Sequence, residues 1–245
     1  MYDLKSQLGI KSYSFRSIPD NADVAKAVKY CEVDGLDISG CHVDYGSVEE
    51  QERLIATYRE AGVRLSGLGV VYLKDDEAFN RRFFEFAKRS KIDVLSCSFL
   101  LEGHEESFRN AVRLADEYDV RMAIHNHGGR DWLGNTTALK YALSRTSPRF
   151  GLCLDTAWCL QAGEDPLQWL ETFGDRLFAL HFKDFTFNQK GEWQDTIVGE
   201  GAFDLDAFLC KLATLEFNGS AVVEFEGENP VEQSKACIKA IRARL

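Results

Sequence analysis

The sequence predicts a parallel (β/α)8 barrel. Eight short apolar runs recur along the 245 residues, each followed by a segment of helical periodicity, at a mean spacing of about 30 residues. The runs are continuous Val, Ile, Leu and Phe, as expected of strands covered on both faces, rather than a clean in/out alternation. Nothing like GxGxxG follows the first run, which counts against an open doubly wound sheet. No Pro/Ser-rich linker interrupts the pattern, and the phrases AGVRLSG, YDVRMAI and GDRLFAL echo one another before strands. Residues 1–245 therefore read as a single domain.

The elements follow in order. LGIKSYSF (8–15) is a strand, and a helix over 20–33 carries the stripe Val24, Ala27, Val28 and Cys31, capped by Asp20 or Asn21. GLDIS (35–39) precedes a helix opening near Ser47, with Glu49 and Glu50 in the first turn where the helix dipole favours acids. The third and fourth pairs are 63–71 with 76–89 and 92–99 with 105–118. The fifth is VRMAIHNH (120–127) with a helix over 136–143, and the sixth is FGLCLDTAW (150–158) with 166–173. RLFALHF (176–182) leads through a long loop to 205–215, and AVVEFEG (221–227) leads to a last helix over 231–245.

Composition narrows the function. Twenty-nine basic against 39 acidic side chains give a net charge of −10, which argues against a nucleic-acid or anionic-membrane surface. At 45% hydrophobic residues the chain is globular rather than disordered. Seven cysteines, an odd number at wide spacing with no CxxC, read as reduced thiols. The opening MYDLKSQLGI lacks the apolar run of a signal peptide, and no stretch approaches the ~20 apolar residues of a membrane span. A soluble cytoplasmic protein is expected.

Strand parity then picks out a site. In a barrel, alternate side chains point inward, and active sites lie at the carboxyl ends of the strands. Ala123, His125 and His127 share the inward parity on the fifth strand, as do Cys153 and Asp155 on the sixth. Ala179, His181 and Lys183 do so on the seventh, and Val222, Glu224 and Glu226 on the eighth. Any one polar residue at a strand end reads as a cap or a satisfied hydrogen-bonder. Four in phase on neighbouring strands, His125, Asp155, His181 and Glu224, suit one divalent metal ion such as Mn2+, Zn2+, Co2+ or Fe2+. Without a cation, burying Asp155 beside Glu224 would cost several kcal/mol or keep one of them protonated.

These residues belong to a pattern. GIKSYSFR, HNHGG, LDTAW with QAGEDPLQWL, LHFKD, VGEGAFDLDAFL and VVEFEGE run in order along essentially the whole chain. Through them the chain resembles the xylose isomerase-like TIM barrels, the sugar phosphate isomerase/epimerase superfamily that also holds inosose dehydratase-like enzymes and endonuclease IV. The resemblance implies one divalent metal held by Glu, Asp, His and Glu, of which Asp155, His181 and Glu224 match the last three. His125 stands where many members have the first Glu, and His127 is the alternative fourth ligand. Trp158 stands where isomerase members often carry a substrate-binding His. Family epimerases use the two ligand glutamates as paired acid and base, and here only Glu224 remains. The HNH and Trp variants look more like the dehydratase-type branch.

The expected reaction is metal-dependent isomerisation or epimerisation of a sugar or keto sugar by proton abstraction next to a carbonyl. The alternative is dehydration or another elimination from an inosose or 3-keto sugar. Candidate acid–base groups are Glu224, His127, Lys183 and Glu226, with Lys183 and Glu226 also readable as a plain ion pair. Candidate substrate contacts are His42, Trp158, Trp132 and Tyr13. The partner expected is a small carbohydrate, with no nucleic acid and no membrane. The long segment 184–201, with Trp193, reads as a lid or as the interface arm of a homo-oligomer.

Overall fold

The structure, a computed structural model, describes residues 3–129 and 131–245. In chain order the strands are β1 (Gly9–Lys11), β2 (Gly35–Ile38), β3 (Arg64–Leu73), β4 (Val94–Phe99) and β5 (Arg121–His125). They continue as β6 (Phe150–Asp155), β7 (Leu177–Phe182), β8 (Asp184–Phe187), β9 (Trp193–Thr196) and β10 (Ser220–Val223). Eight of these close into a parallel barrel in the order β1-β10-β7-β6-β5-β4-β3-β2, while β8 and β9 form a separate antiparallel hairpin. The chain is a (β/α)8 barrel with its helices outside.

Local chemistry sets the helix starts. Asp20 accepts from the backbone N–H of Ala22 and Asp23, and Ser47 from that of Glu50, so both helices begin where a side chain relieves orphan amides. The helix Glu77–Ser90 turns Phe83, Phe84, Phe86 and Ala87 onto the barrel. Each fully buried aromatic there contributes about 1.5–3 kcal/mol. At the base of β1 the backbones crowd: a Cβ on Gly9 would lie 2.6 Å from the Gly35 carbonyl oxygen.

The interior separates from the helix layer. Val94, Ala123, Cys153 and Ala179 form their own small buried cluster, while Leu152, Leu154, Leu180 and Val223 belong to the large outer core. The inward parity read for β5, β6 and β7 therefore holds up to the strand ends.

Several boundaries differ from the sequence reading. The first strand stops at Lys11 and Ser12–Phe15 is a 3-10 turn. The sixth stops at Asp155, because its carboxylate caps the helix Thr156–Gln161 by accepting from Trp158 N at 2.9 Å. The fifth and eighth stop at His125 and Val223, so strand parity does not govern His127 or Glu226, whereas the Glu224 N–H still bonds the Phe182 carbonyl at 3.1 Å and keeps the strand's register. The long loop holds the β8–β9 hairpin. Among the described residues no helix is long and apolar enough to cross a membrane.

Candidate metal centre and active-site cavity

Four strand ends bring four ligating side chains together. His125 ends β5, Asp155 ends β6 and pairs in register with His181 on β7, and Glu224 follows β10, whose Val222 pairs with His181. All four are buried, and one ligating atom from each lies within 4.8 Å of all the others. His125 Nε2 is 3.7 Å from Asp155 Oδ2, and His181 Nδ1 is 2.9 Å from Glu224 Oε2 and 4.0 Å from Asp155 Oδ2.

The unsatisfied atoms at this cluster are informative. His125 Nε2, Asp155 Oδ2 and His181 Nε2 are buried without a hydrogen-bond partner, while His181 Nδ1 has only the Glu224 carboxylate beside it. Buried polar atoms are ordinarily paired, and each orphan costs about 1–3 kcal/mol. An ion bound at ~2.0–2.2 Å spans roughly 4 Å between opposite ligands, so the spacing found here is close to what a divalent cation needs. The residues fit the group.

Neighbours hold these side chains in place. Asn126 bridges β5 to β6, donating to the Asp155 carbonyl at 3.0 Å and accepting from Asp155 N at 2.8 Å. Thr156 accepts from Lys183 N at 3.0 Å and donates to the Lys183 carbonyl at 2.5 Å, tying β6 to β7. Burial holds the His125 imidazole below its ordinary pKa and therefore neutral, the form in which nitrogen can ligate. Burial alone would raise the Glu224 carboxyl, but Lys183, His181 and Lys11 outweigh it and hold it well below the usual carboxylate range. Burial likewise opposes the Lys183 charge, and Glu224, Asp155 and Glu226 overcome it, so its ammonium stays above the ordinary value.

Above the cluster lies a cavity of about 350 Å³. Its walls include Lys11, Tyr13, Cys41, Tyr72, His125, His127, Trp158, Glu224 and Glu226. His127 stacks on Trp158 at 4.1 Å between ring centroids, and its Nδ1 bonds the Gly128 carbonyl. Gly128 is required there, since a Cβ would come within 2.6 Å of the Trp158 ring. Trp193 of the hairpin meets Trp158 edge-on at 5.6 Å, and Asp195 accepts from Glu226 N at 2.5 Å, so β8–β9 is fastened over this side of the barrel. Asp184 shapes the return, accepting from the amides of Gly199, Gly201 and Phe203.

Not every expected site residue reaches the cavity. Lys183 is buried beneath it and bonds Glu226. His42 is turned inward: its Nδ1 bonds Ser12 Oγ at 2.9 Å and its Nε2 the Ile18 carbonyl at 3.1 Å, so both nitrogens serve the fold. The substrate contact expected of His42 is thus replaced by a structural role, with Cys41 beside it on the cavity wall. Trp132 likewise donates to the Phe99 carbonyl at 2.7 Å and packs on His104 and Phe108, away from the cavity. Lys11, Asn126 and Thr156 were not anticipated as site residues; a lysine inside the apolar run of the first strand was the available signal. A larger groove of about 830 Å³, lined by Leu4, Leu209 and Leu215 among others, lies at the amino-terminal end of the barrel, far from this chemistry.

The fold and the cluster define a class. Residues 101–244 match the model of the xylose isomerase-like TIM barrel family, and the chain belongs to that family. Over 242 residues it is 24% identical to the 3-oxo-isoapionate decarboxylase of Pectobacterium atrosepticum, covering 89% of this chain and 84% of the relative. Over 141 residues it is 24% identical to the inosose dehydratase of Geobacillus kaustophilus, covering 51% of this chain and 46% of that protein, so the match spans about half the dehydratase's length. Among solved structures, the IOLI protein with a bound zinc atom is similar at a TM-score of 0.74 and 17% identity, over 97% of this chain and 96% of that one.

Proposed function

We propose that this chain is a divalent-metal-dependent enzyme that ionises a keto sugar next to its carbonyl, with His125, Asp155, His181 and Glu224 as the metal ligands. The observation that carries the reading is the convergence of four buried ligating atoms within 4.8 Å, several of them lacking any hydrogen bond, beneath an open cavity. Two imidazoles and two carboxylates suit Mn2+, Zn2+, Co2+ or Fe2+. When bound, such an ion supplies the Lewis acidity that makes the carbon beside a carbonyl acidic.

The chain's own groups take the remaining roles. Trp158 and Tyr13 line the cavity as the aromatic contacts of a sugar. His127 is the proton-transfer group: its ring forms part of the wall, braced by Trp158, and its Nδ1 is engaged, which leaves Nε2 for the substrate. Glu226 and Lys183 form an ion pair beside Glu224, and Lys183 keeps Glu224 charged as a ligand.

Isomerisation, epimerisation and elimination all begin with this ionisation. A lyase outcome is favoured over a two-carboxylate epimerisation, because the β5 position presents the imidazole of His125 rather than a second carboxylate. The relatives at 24% identity support the same preference, one being named a decarboxylase and the other a dehydratase. The test is to incubate Mn2+-loaded protein in D2O with inososes, 3-keto sugars and 3-keto sugar acids, following the products by NMR and ultraviolet absorbance. An enone or released carbon dioxide supports the lyase. Deuterium incorporation with stereochemical change and no fragment lost supports the isomerase or epimerase. Absence of exchange, enone and carbon dioxide alike across the panel in metal-loaded protein contradicts the reading.

A further inference from the structure

We infer that Lys11 binds substrate in this same site, its ammonium holding the substrate oxygen on which negative charge builds. The inference rests on the metal-dependent reading above, and it assigns to the β1 wall of the cavity a ligand chemistry of its own: an enediolate-type oxyanion.

Lys11 is the last residue of β1 and only 2% exposed, yet it lines the cavity. It pairs in register with Asp37 on β2. On its other side Ile10 pairs with Val223, so one more step of that register sets Lys11 beside Glu224. Its Nζ donates to Asp37 Oδ1 at 2.5 Å and to the Gly69 carbonyl. An ammonium has three protons. With two committed to fixed protein acceptors, the third is left for an oxygen in the cavity.

A purely structural pair explains the arrangement poorly. Desolvating two ions in a barrel interior costs several kcal/mol each, and apolar residues of similar volume usually stabilise as well or better. One part of this interior, where Val94, Ala123, Cys153 and Ala179 meet, is filled in that apolar way. Asp37 Oδ2 is also buried without a hydrogen-bond partner, so the pair is not arranged for greatest stability. What it does achieve is a cation held rigid at the cavity wall, fixed before charge develops on the substrate, which is how an oxyanion is stabilised most effectively.

The test uses calorimetric titration of the full-length protein, first with Mn2+ and then with glycolohydroxamate, a small planar enediolate mimic that chelates a divalent ion. Wild type, Lys11→Met, and the double variant Lys11→Met with Asp37→Leu are compared; the double variant removes both charges and so leaves no unpaired buried carboxylate. We expect Mn2+ affinity close to wild type in the double variant and no weaker than wild type in Lys11→Met, with hydroxamate affinity roughly 10- to 100-fold weaker in both, the range for losing one hydrogen bond to a charged group. Wild-type hydroxamate affinity in the double variant, with Mn2+ bound, overturns the assignment and makes the pair structural while leaving the metal reading intact. Failure of wild type itself to bind Mn2+ overturns the metal reading, and this inference with it.

Discussion

Replacing Asp155 by Asn separates the proposed ligand role of this residue from its role as a helix cap. The substituted side chain keeps an oxygen that can accept from Trp158 N, now bonded at 2.9 Å, so the helix Thr156–Gln161 retains its start. The other terminal atom becomes an N–H2 donor in place of Oδ2, which lies 3.7 Å from His125 Nε2 and 4.0 Å from His181 Nδ1. A donor there repels a cation and removes one of two ligand carboxylates. We expect at least a 100-fold loss of Mn2+ affinity, at the upper end of the range for disturbing even the groups that support metal ligands. At a free Mn2+ concentration 100 times the wild-type dissociation constant, binding stabilises wild type by about 2.7 kcal/mol. For a chain of this size that is roughly 5–11 °C in Tm. The variant, at a ratio near one, gains only RT ln 2, or about 0.4 kcal/mol, and roughly 1–2 °C. Thermal unfolding followed by fluorescence with increasing Mn2+ reads both. A variant whose midpoint rises with Mn2+ as far as that of wild type would refute the ligand assignment.

Lys183→Met removes the buried cation beside Glu224, Asp155 and Glu226 and should destabilise the metal-free protein by about 3–5 kcal/mol, measured by urea unfolding. Mn2+ should restore more stability to this variant than it adds to wild type, because the ion replaces the missing positive charge; equal gains would show that Lys183 does not balance the ligand carboxylates. His42 is held below its ordinary pKa of 6.5 chiefly by burial, so it stays neutral in the fold while the unfolded chain takes up a proton. Its contribution to stability is present above pH ~6.5 and is lost as pH falls towards the folded pKa. Unfolding free energies at pH 7.5 and 5.5 should therefore differ less in His42→Asn than in wild type, while Mn2+ affinity stays the same; an unchanged pH slope would contradict this.

The barrel was legible in the sequence because apolar runs at regular spacing leave few ways to bury strands on both faces. His125, Asp155, His181 and Glu224 were legible for a related reason: parity counted within apolar strands needs no knowledge of loops. That logic ends with the strands. His127 and Glu226 reach the cavity from beyond the hydrogen-bonded ladder, and they do so because Gly128 lets the chain pass Trp158 and because Asp195 anchors Glu226 N. His42 was read as a substrate contact because its environment is set by a 3-10 turn, whose packing against Ser12 and Ile18 carries no periodic signal. Lys11 was overlooked since its partner, Asp37, is 26 residues away and only the β1–β2 register brings them together. The β8–β9 hairpin carries no apolar run that would mark its strands; they pair with each other and meet the barrel where Trp193 touches Trp158 and Asp195 accepts from Glu226 N.

Anomalous diffraction at the manganese edge, from crystals grown with Mn2+, addresses the ligand set most directly. A single strong peak is expected about 2.0–2.2 Å from His125 Nε2, Asp155 Oδ2, a ring nitrogen of His181 and a carboxylate oxygen of Glu224. No peak among these four, or one held by other residues, would contradict this ligand set.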